Sequence, residues 1–251
     1  MSKNKTTIQE DFTLPSRGLM YNKPFDPHIR LRSMTVEDKM RRLSPTKTPY
    51  KMMCEIIDSC LLDKLPISSY DLYLCDYIYL LHKLRVVTYG PDYAIKFTCP
   101  KCCNEEIIHI NLDEIEVKEF NTDLEEYFNV TLPKTGYTVK LKMQTPRDLD
   151  KINLESEDMK KKNPEIEWDP MQLLTLKSLI ESINGGSVDM ALIGETLKRL
   201  PMMDANVLSK AATELQGKVG LENTMHIDCN KCDYSVDAPF LYTSEFFGPT
   251  L

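Results

Sequence analysis

The sequence predicts an α+β fold in which a mainly helical body carries an extended N-terminal arm and one small antiparallel β element. Three observations predict it. Apolar residues recur with a helical period in several separate stretches, the period falls to two around residues 93–110 and 137–143, and Pro15, Gly18, Pro24 and Pro27 break up the N-terminal segment. The chain has 251 residues, of which 27% are charged and 42% hydrophobic, enough to bury a core and far from the composition of a disordered chain. Its formal charge of −7 removes any global electrostatic footprint for nucleic acid or anionic lipid.

The arm comes first. Lys3 and Lys5 are followed by no apolar run, so no secretory signal is read, and the prolines forbid a long helix across Leu14, Leu19, Met20, Tyr21 and Phe25. Those apolar side chains must lie along the body or in a partner's groove. Ile29-Arg30-Leu31-Arg32 alternates as a half-exposed edge strand does. Thr35 to Asp38 forms a capping box for a short helix that Pro45 must end, and Thr48-Pro49 opens a second, striped by Met52, Met53, Ile56, Ile57, Cys60 and Leu61. Ser68 to Asp71 repeats the capping pattern ahead of a third helix with Leu74, Cys75, Ile78 and Leu81 on one face, ended at the latest by Gly90-Pro91. Interruption by Asp76, His82 and Lys83 leaves this most apolar stretch too short to span a membrane.

Tyr93, Ile95 and Phe97, then Ile108 and Ile110, read as a hairpin; Tyr137, Val139, Leu141 and Met143 read as a further strand. Residues 145–168, with Lys160-Lys161-Lys162, read as a solvated helix and loop. From Pro170 a helical stripe of Leu173, Leu176, Leu179, Ile180 and Ile183 runs to Gly185-Gly186. Ser187 caps the next helix and Pro201 ends it, and Asp204 caps the last, whose buried face is Val207, Leu208, Ala211, Ala212 and Leu215.

The strongest chemical signal lies in the cysteines. Cys99-Pro100-Lys101-Cys102 and Cys229-Asn230-Lys231-Cys232 are two CxxC turns, and two such turns complete the tetrahedral sulfur shell that zinc prefers. The β element is therefore expected to be zinc-ribbon-like, with Cys99, Cys102, Cys229 and Cys232 holding a structural zinc. Cys102 and Cys229 are 127 positions apart, so the segment between them reads as an insertion. By analogy with a covalent cross-link, closing so long a loop removes roughly 4 to 5 kcal/mol of unfolded-state freedom. Lys101 and Lys231 occupy matching places where they can offset the net charge of about −2 that four thiolates around a divalent cation carry.

A redox dithiol is the competing reading, but neither pair opens a helix in a βαβ setting. Cys103, His109 and His226 are bystanders to a shell that four cysteines already close, and a closed shell leaves no position for catalytic water. Cys54, Cys60 and Cys75 fall on or beside helical stripes and read as small buried hydrophobes. No phosphate-binding glycine loop, nucleophile elbow or HExxH is present, and Asp123, Glu125 and Glu126 read as a solvated acidic surface, so no enzyme is expected.

Leu14-Pro15-Ser16-Arg17-Gly18-Leu19-Met20-Tyr21, Leu84-Arg85 with Tyr89-Gly90, the two cysteine pairs, and Phe246-Phe247-Gly248-Pro249 resemble, in that order, the baseplate hub or hub-assembly proteins of T-even-like contractile-tailed phages. The resemblance implies a non-enzymatic structural or assembly role. It implies other baseplate or tail proteins as partners, and a location in the virion's tail baseplate or in the host cytoplasm during assembly. Residues 145–168 match least. The alternative is a zinc-ribbon nucleic-acid-binding module served by Arg41-Arg42 and Lys160 to Lys162, against which the acidic balance argues; oligomerisation is left open. The expected organisation is an arm over 1–28, a helical region over 29–92, a β region with the first half-site over 93–144, a charged linker and helices over 145–217, and the second half-site with the tail over 218–251.

Overall fold

A computed structural model describes residues 9–165, 167–186, 189–222, 224–240, 242 and 244–248. In chain order, the described elements begin with β1 (Gln9–Thr13), β2 (His28–Arg32), α1 (Val36–Arg42), α2 (Pro49–Cys60) and α3 (Leu74–Tyr89). Next come β3 (Asp92–Thr98), β4 (Glu105–Asn111), β5 (Val117–Lys118), β6 (Asn129–Thr131), β7 (Thr138–Leu141), α4 (Pro146–Lys162), α5 (Pro170–Ser178) and β8 (Ile180–Ile183). The chain closes with α6 (Met190–Lys198), α7 (Met202–Gln216), β9 (Gly220–Leu221), β10 (Thr224–Asp228) and β11 (Ser235–Pro239).

This architecture corrects the expected fold class. In place of a mainly helical body with one β element, the described residues form a mixed α+β structure with five small antiparallel sheets: β1–β2, β3–β4, β5–β9, β6–β7–β8 and β10–β11. Several of these pairings join residues far apart in sequence, such as Val117 with Leu221 and Leu141 with Ile180. β7 is the strand read from the alternation of Val139 and Leu141, whereas strands as short as β5, β6 and β9 carry no readable alternation and are defined by their partners. The extended arm is corrected too. Its described part folds back, with β1 paired along all of β2 from Gln9↔Arg32 to Thr13↔His28, and Leu14 and Ser16 are fully buried.

Two apolar clusters organise the chain. The first is built on α2 and α3 with Leu14, Ile29, Leu31, Leu112, Phe240, Phe246 and Phe247. The second gathers Leu132, Val139, Leu141, Ile180, Leu208 and Leu215 from the segment between the two cysteine pairs, and meets the first through Cys75.

Helix α3 is the pillar. The expected one-sided stripe is corrected by burial all round: Tyr77, Tyr79, Leu80, Leu84 and Val87 are buried as well as Cys75 and Leu81, and so are the polar Asp76, His82 and Arg85. A helix packed on every side needs each buried polar group satisfied. Asp76 accepts hydrogen bonds from Ser16 N–H (3.0 Å), Ser16 Oγ (2.5 Å) and Tyr21 Oη (2.7 Å). His82 Nε2 lies 2.8 Å from the Leu112 carbonyl, which fixes the proton on Nε2 and leaves Nδ1 to accept from Tyr242 Oη at 3.4 Å. Burial pulls this imidazole down to about 4, so it stays neutral. Gly90, at φ +88°, ends the helix.

Elsewhere, carboxylates from one segment close the backbone of another. Thr48 makes no side-chain cap for α2; Asp150 of α4 accepts instead from Tyr50 N–H (3.3 Å) and Lys51 N–H (2.8 Å), and also from Tyr70 Oη (3.1 Å). The expected solvated helix over 145–168 thus has an inner face, with Asp150, Ile152 and Ser156 buried. Asp204 does not act as the expected cap but lies in the first turn of α7 after Pro201. Fully buried, it accepts the N–H groups of Lys134 (2.8 Å) and Thr135 (2.9 Å) in the turn before β7.

The helix from Pro170 stops at Ser178, and Ile180 to Ile183 become β8 because β7 offers them a ladder. Asp189 caps α6, while Ser187, expected there, lies outside the described residues.

Candidate metal centre

Each CxxC pair sits at the tip of a hairpin, and the two tips are built alike. The last paired residues are Thr98↔Glu105 in the first and Asp228↔Ser235 in the second, leaving six residues in each loop. In both, the first cysteine donates its N–H to the carbonyl of the sixth residue at 2.9 Å, Cys99 to Asn104 and Cys229 to Tyr234. In the first loop, Cys103 N–H also donates to Cys99 O at 2.9 Å, and Cys103 takes φ +56°, so the chain turns back without a glycine.

The tips face each other and bring four sulfurs together. All four Sγ atoms lie within 4.8 Å of one another, with Cys99–Cys232 and Cys102–Cys229 at 3.7 Å. Metal–sulfur bonds of about 2.3 Å generate a tetrahedron with edges of about 3.8 Å, whereas a disulfide holds its sulfurs at about 2.05 Å. The spacing fits four ligands around one small cation, and the four cysteines are free thiols. Cys99 and Cys229 are buried, Cys102 and Cys232 half-buried. Three contacts sew the tips together: the Lys101–Asp233 ion pair, Asn104 Nδ2 to Asn230 Oδ1 (3.0 Å), and Asn230 N–H to Glu106 Oε1 (3.3 Å).

The sulfurs do not ionise as equals. Burial raises the Cys99 thiol, but the N–H groups of Cys102 and Lys101 and the neighbouring thiols outweigh it and bring it down to about 7. At Cys232 the Tyr234 N–H lowers the pKa, yet burial and the three other sulfurs push it up to about 12.

The other residues singled out in the sequence lie outside the cluster. Cys103 is exposed. His109 Nδ1 lies 3.0 Å from Asp92, and His226 bridges Asp237 (2.7 Å) and Asp228 (3.2 Å), with Asp237 as the first cause of its raised pKa. Cys54, Cys60 and Cys75 are buried; burial pushes Cys54 up to about 12 and Cys60 up to about 11. Asp123, Glu125 and Glu126 are exposed. Lys160, Lys161 and Lys162 each pair with a carboxylate, on Asp169, Glu157 and Asp158, and Arg41 pairs with Glu55. Among the described residues no helix is long and apolar enough to cross a membrane. The contacts of Asn104 and Asp233, just after the two CxxC turns, and of Asn230, inside the second, were not legible in the sequence, because each partner lies on the other hairpin.

A family model described as T4 bacteriophage base plate protein matches residues 7–248. The chain belongs to this base plate family. No curated protein and no solved structure matches it. The segments that carried the base plate resemblance are scattered in sequence, but most converge on α3. Ser16 binds Asp76; Arg17 and Gly18 follow in left-handed backbone at φ +52° and +67°, and Arg17 pairs with Glu119. Arg85 is fully buried without a carboxylate partner among the described residues. Its guanidinium donates to the carbonyls of Phe246 (2.9 Å) and Gly90 (3.1 Å) and stacks on Tyr89, 4.7 Å from the ring centroid. These contacts lock the N-terminal loop, the end of α3 and the C-terminal turn into one unit.

Proposed function

We propose that this base plate protein is a non-enzymatic structural or assembly component of the tail baseplate, acting in the hub or its assembly, and that Cys99, Cys102, Cys229 and Cys232 hold one structural zinc ion. The observation that carries the metal assignment is the pair of 3.7 Å sulfur–sulfur distances between two equivalent hairpin tips. Four cysteine sulfurs suit a borderline-soft tetrahedral ion, and a shell closed by protein suits rigidity rather than turnover. The ion would tie residue 102 to residue 229 and clamp the ends of the intervening segment. That segment's own apolar cluster supports reading it as an insertion between two halves of a metal-bound module.

The organisation proposed with it is an N-terminal segment over 1–28, a helical region over 29–92, half-sites within 93–144 and 218–251, and helices over 145–217. The partners are other tail proteins and the location is the virion tail. The pairing of Lys160 to Lys162 with carboxylates lends nothing to a nucleic-acid-binding reading.

The test is elemental analysis of the purified full chain beside a Cys229→Ser/Cys232→Ser variant. About one zinc per chain, absent from the variant, is the expected result; no metal in the unsubstituted chain would overturn the assignment.

A further inference from the structure

Helix α1 is inside out. On a helical period Val36, Met40 and Leu43 fall within about 60° of one another, and Asp38 lies on the opposite side. In an ordinary surface helix that apolar stripe faces the core. Here Asp38 is buried, while Val36, Met40 and Leu43 are 76%, 67% and 63% exposed.

The rotation is set by polar contacts. Asp38 accepts from Thr35 N–H (2.9 Å) in the capping box, from Arg32 Nη1 (2.8 Å) and from Ser59 Oγ (3.3 Å). Arg41 pairs with Glu55 of α2, and Arg42 lies over the Phe247 ring. The charged face of α1 is thus spent on the body, and the apolar face is left outside.

We propose that this ridge is a docking surface for an apolar, acidic-rimmed groove on another baseplate protein. Charge selects that occupant. Although the chain is acidic overall, Lys39 on the flank of the ridge and Lys47 in the exposed loop beyond it make no ion pair among the described residues, and Glu37 is the only exposed carboxylate on the helix. Area argues against a second copy of this chain. The three side chains expose on the order of 300 Å² of apolar surface, whereas a stable dimer draws about 800 Å² from each partner. A ridge of this size serves as a knob in a larger partner's groove. The inference rests on base plate membership and not on the metal assignment.

The full chain carrying benzoylphenylalanine at position 40 is photolysed in infected cells, with position 210 on the exposed face of α7 as the control. The expected result is an adduct from position 40, and not from 210, to another baseplate protein at a segment containing apolar residues and carboxylates. Met40→Asp is expected to weaken that association about thirtyfold, as loss of a buried interfacial anchor does, with melting temperature and metal content unchanged. Should Met40→Asp disturb folding, Lys39→Glu/Lys47→Glu tests the rim and is expected to reduce the same adduct. An adduct to a second copy, to lipid or to the chain's own ends, no adduct at all, or full assembly by a stably folded Met40→Asp protein would each overturn the proposal. Absence of zinc from the unsubstituted chain with the adduct intact would count against the zinc reading alone.

Discussion

Replacing Arg85 with methionine should destabilise the protein more than replacing any exposed arginine. Buried ion pairs can often be exchanged for apolar side chains at little cost, because both charges leave together. Arg85 is different: its partners are main-chain carbonyls, of Phe246 at 2.9 Å and Gly90 at 3.1 Å, that no substitution at position 85 can remove. Each hydrogen bond from a charged donor is worth about 1.5–3 kcal/mol, and stacking on Tyr89 about 0.5–2 kcal/mol. Methionine returns part of this through apolar burial, leaving a net loss of about 3–5 kcal/mol. For a chain of this size that lowers the melting temperature by roughly 6–20 °C. Thermal unfolding followed by near-ultraviolet circular dichroism measures it, and limited proteolysis should show earlier cleavage near Phe246. Arg85→Lys keeps the charge without the planar fork and should fall between the two. An Arg85→Met protein melting within about 2 °C of the parent would refute the reasoning.

Gly18→Ala should cost about 2 kcal/mol or more by chemical denaturation, because φ is +67° and a Cβ would overlap the Phe25 carbonyl oxygen; unchanged stability would mean the loop is free to move. Asp150→Ala strips the N–H groups of Tyr50 and Lys51 of their acceptor and should cost about 2–3 kcal/mol, with faster amide exchange at the start of α2 as the specific readout. Asp38 is held down at about 2, against an ordinary 3.8, because the Arg32 and Thr35 hydrogen bonds outweigh the burial that would raise it. A depressed carboxyl stabilises the fold above its unfolded value and loses that contribution as pH falls through the folded one. About 2 kcal/mol should therefore fade between about pH 4 and pH 2, and the gap between the parent and Asp38→Asn should close over that window. Removing the metal with a chelator should lower the unfolding free energy by about 4–5 kcal/mol, and readdition of zinc should restore it; insensitivity to chelation would count against the clamp.

Local chemistry was legible in the sequence. The capping box at Thr35 and Asp38, the stop at Gly90, the strand at Ile29 to Arg32 and the hairpin around the first CxxC all depend on residues within a few positions of one another, so their spacing carried the information. The tertiary structure decided what depends on a distant partner. Residues 180–183 continue a helical stripe on paper and become a strand only beside β7; Asp204 caps nothing locally but accepts the backbone of a turn some 70 residues earlier. Asp150 was one charge in a charged helix until α2 brought its unsatisfied N–H groups to it. The small sheets that overturned the expectation of a mainly helical body arise the same way, from main-chain groups seeking partners across long separations. Side-chain periodicity reports which residues avoid water; it does not report which backbone will be waiting when they do.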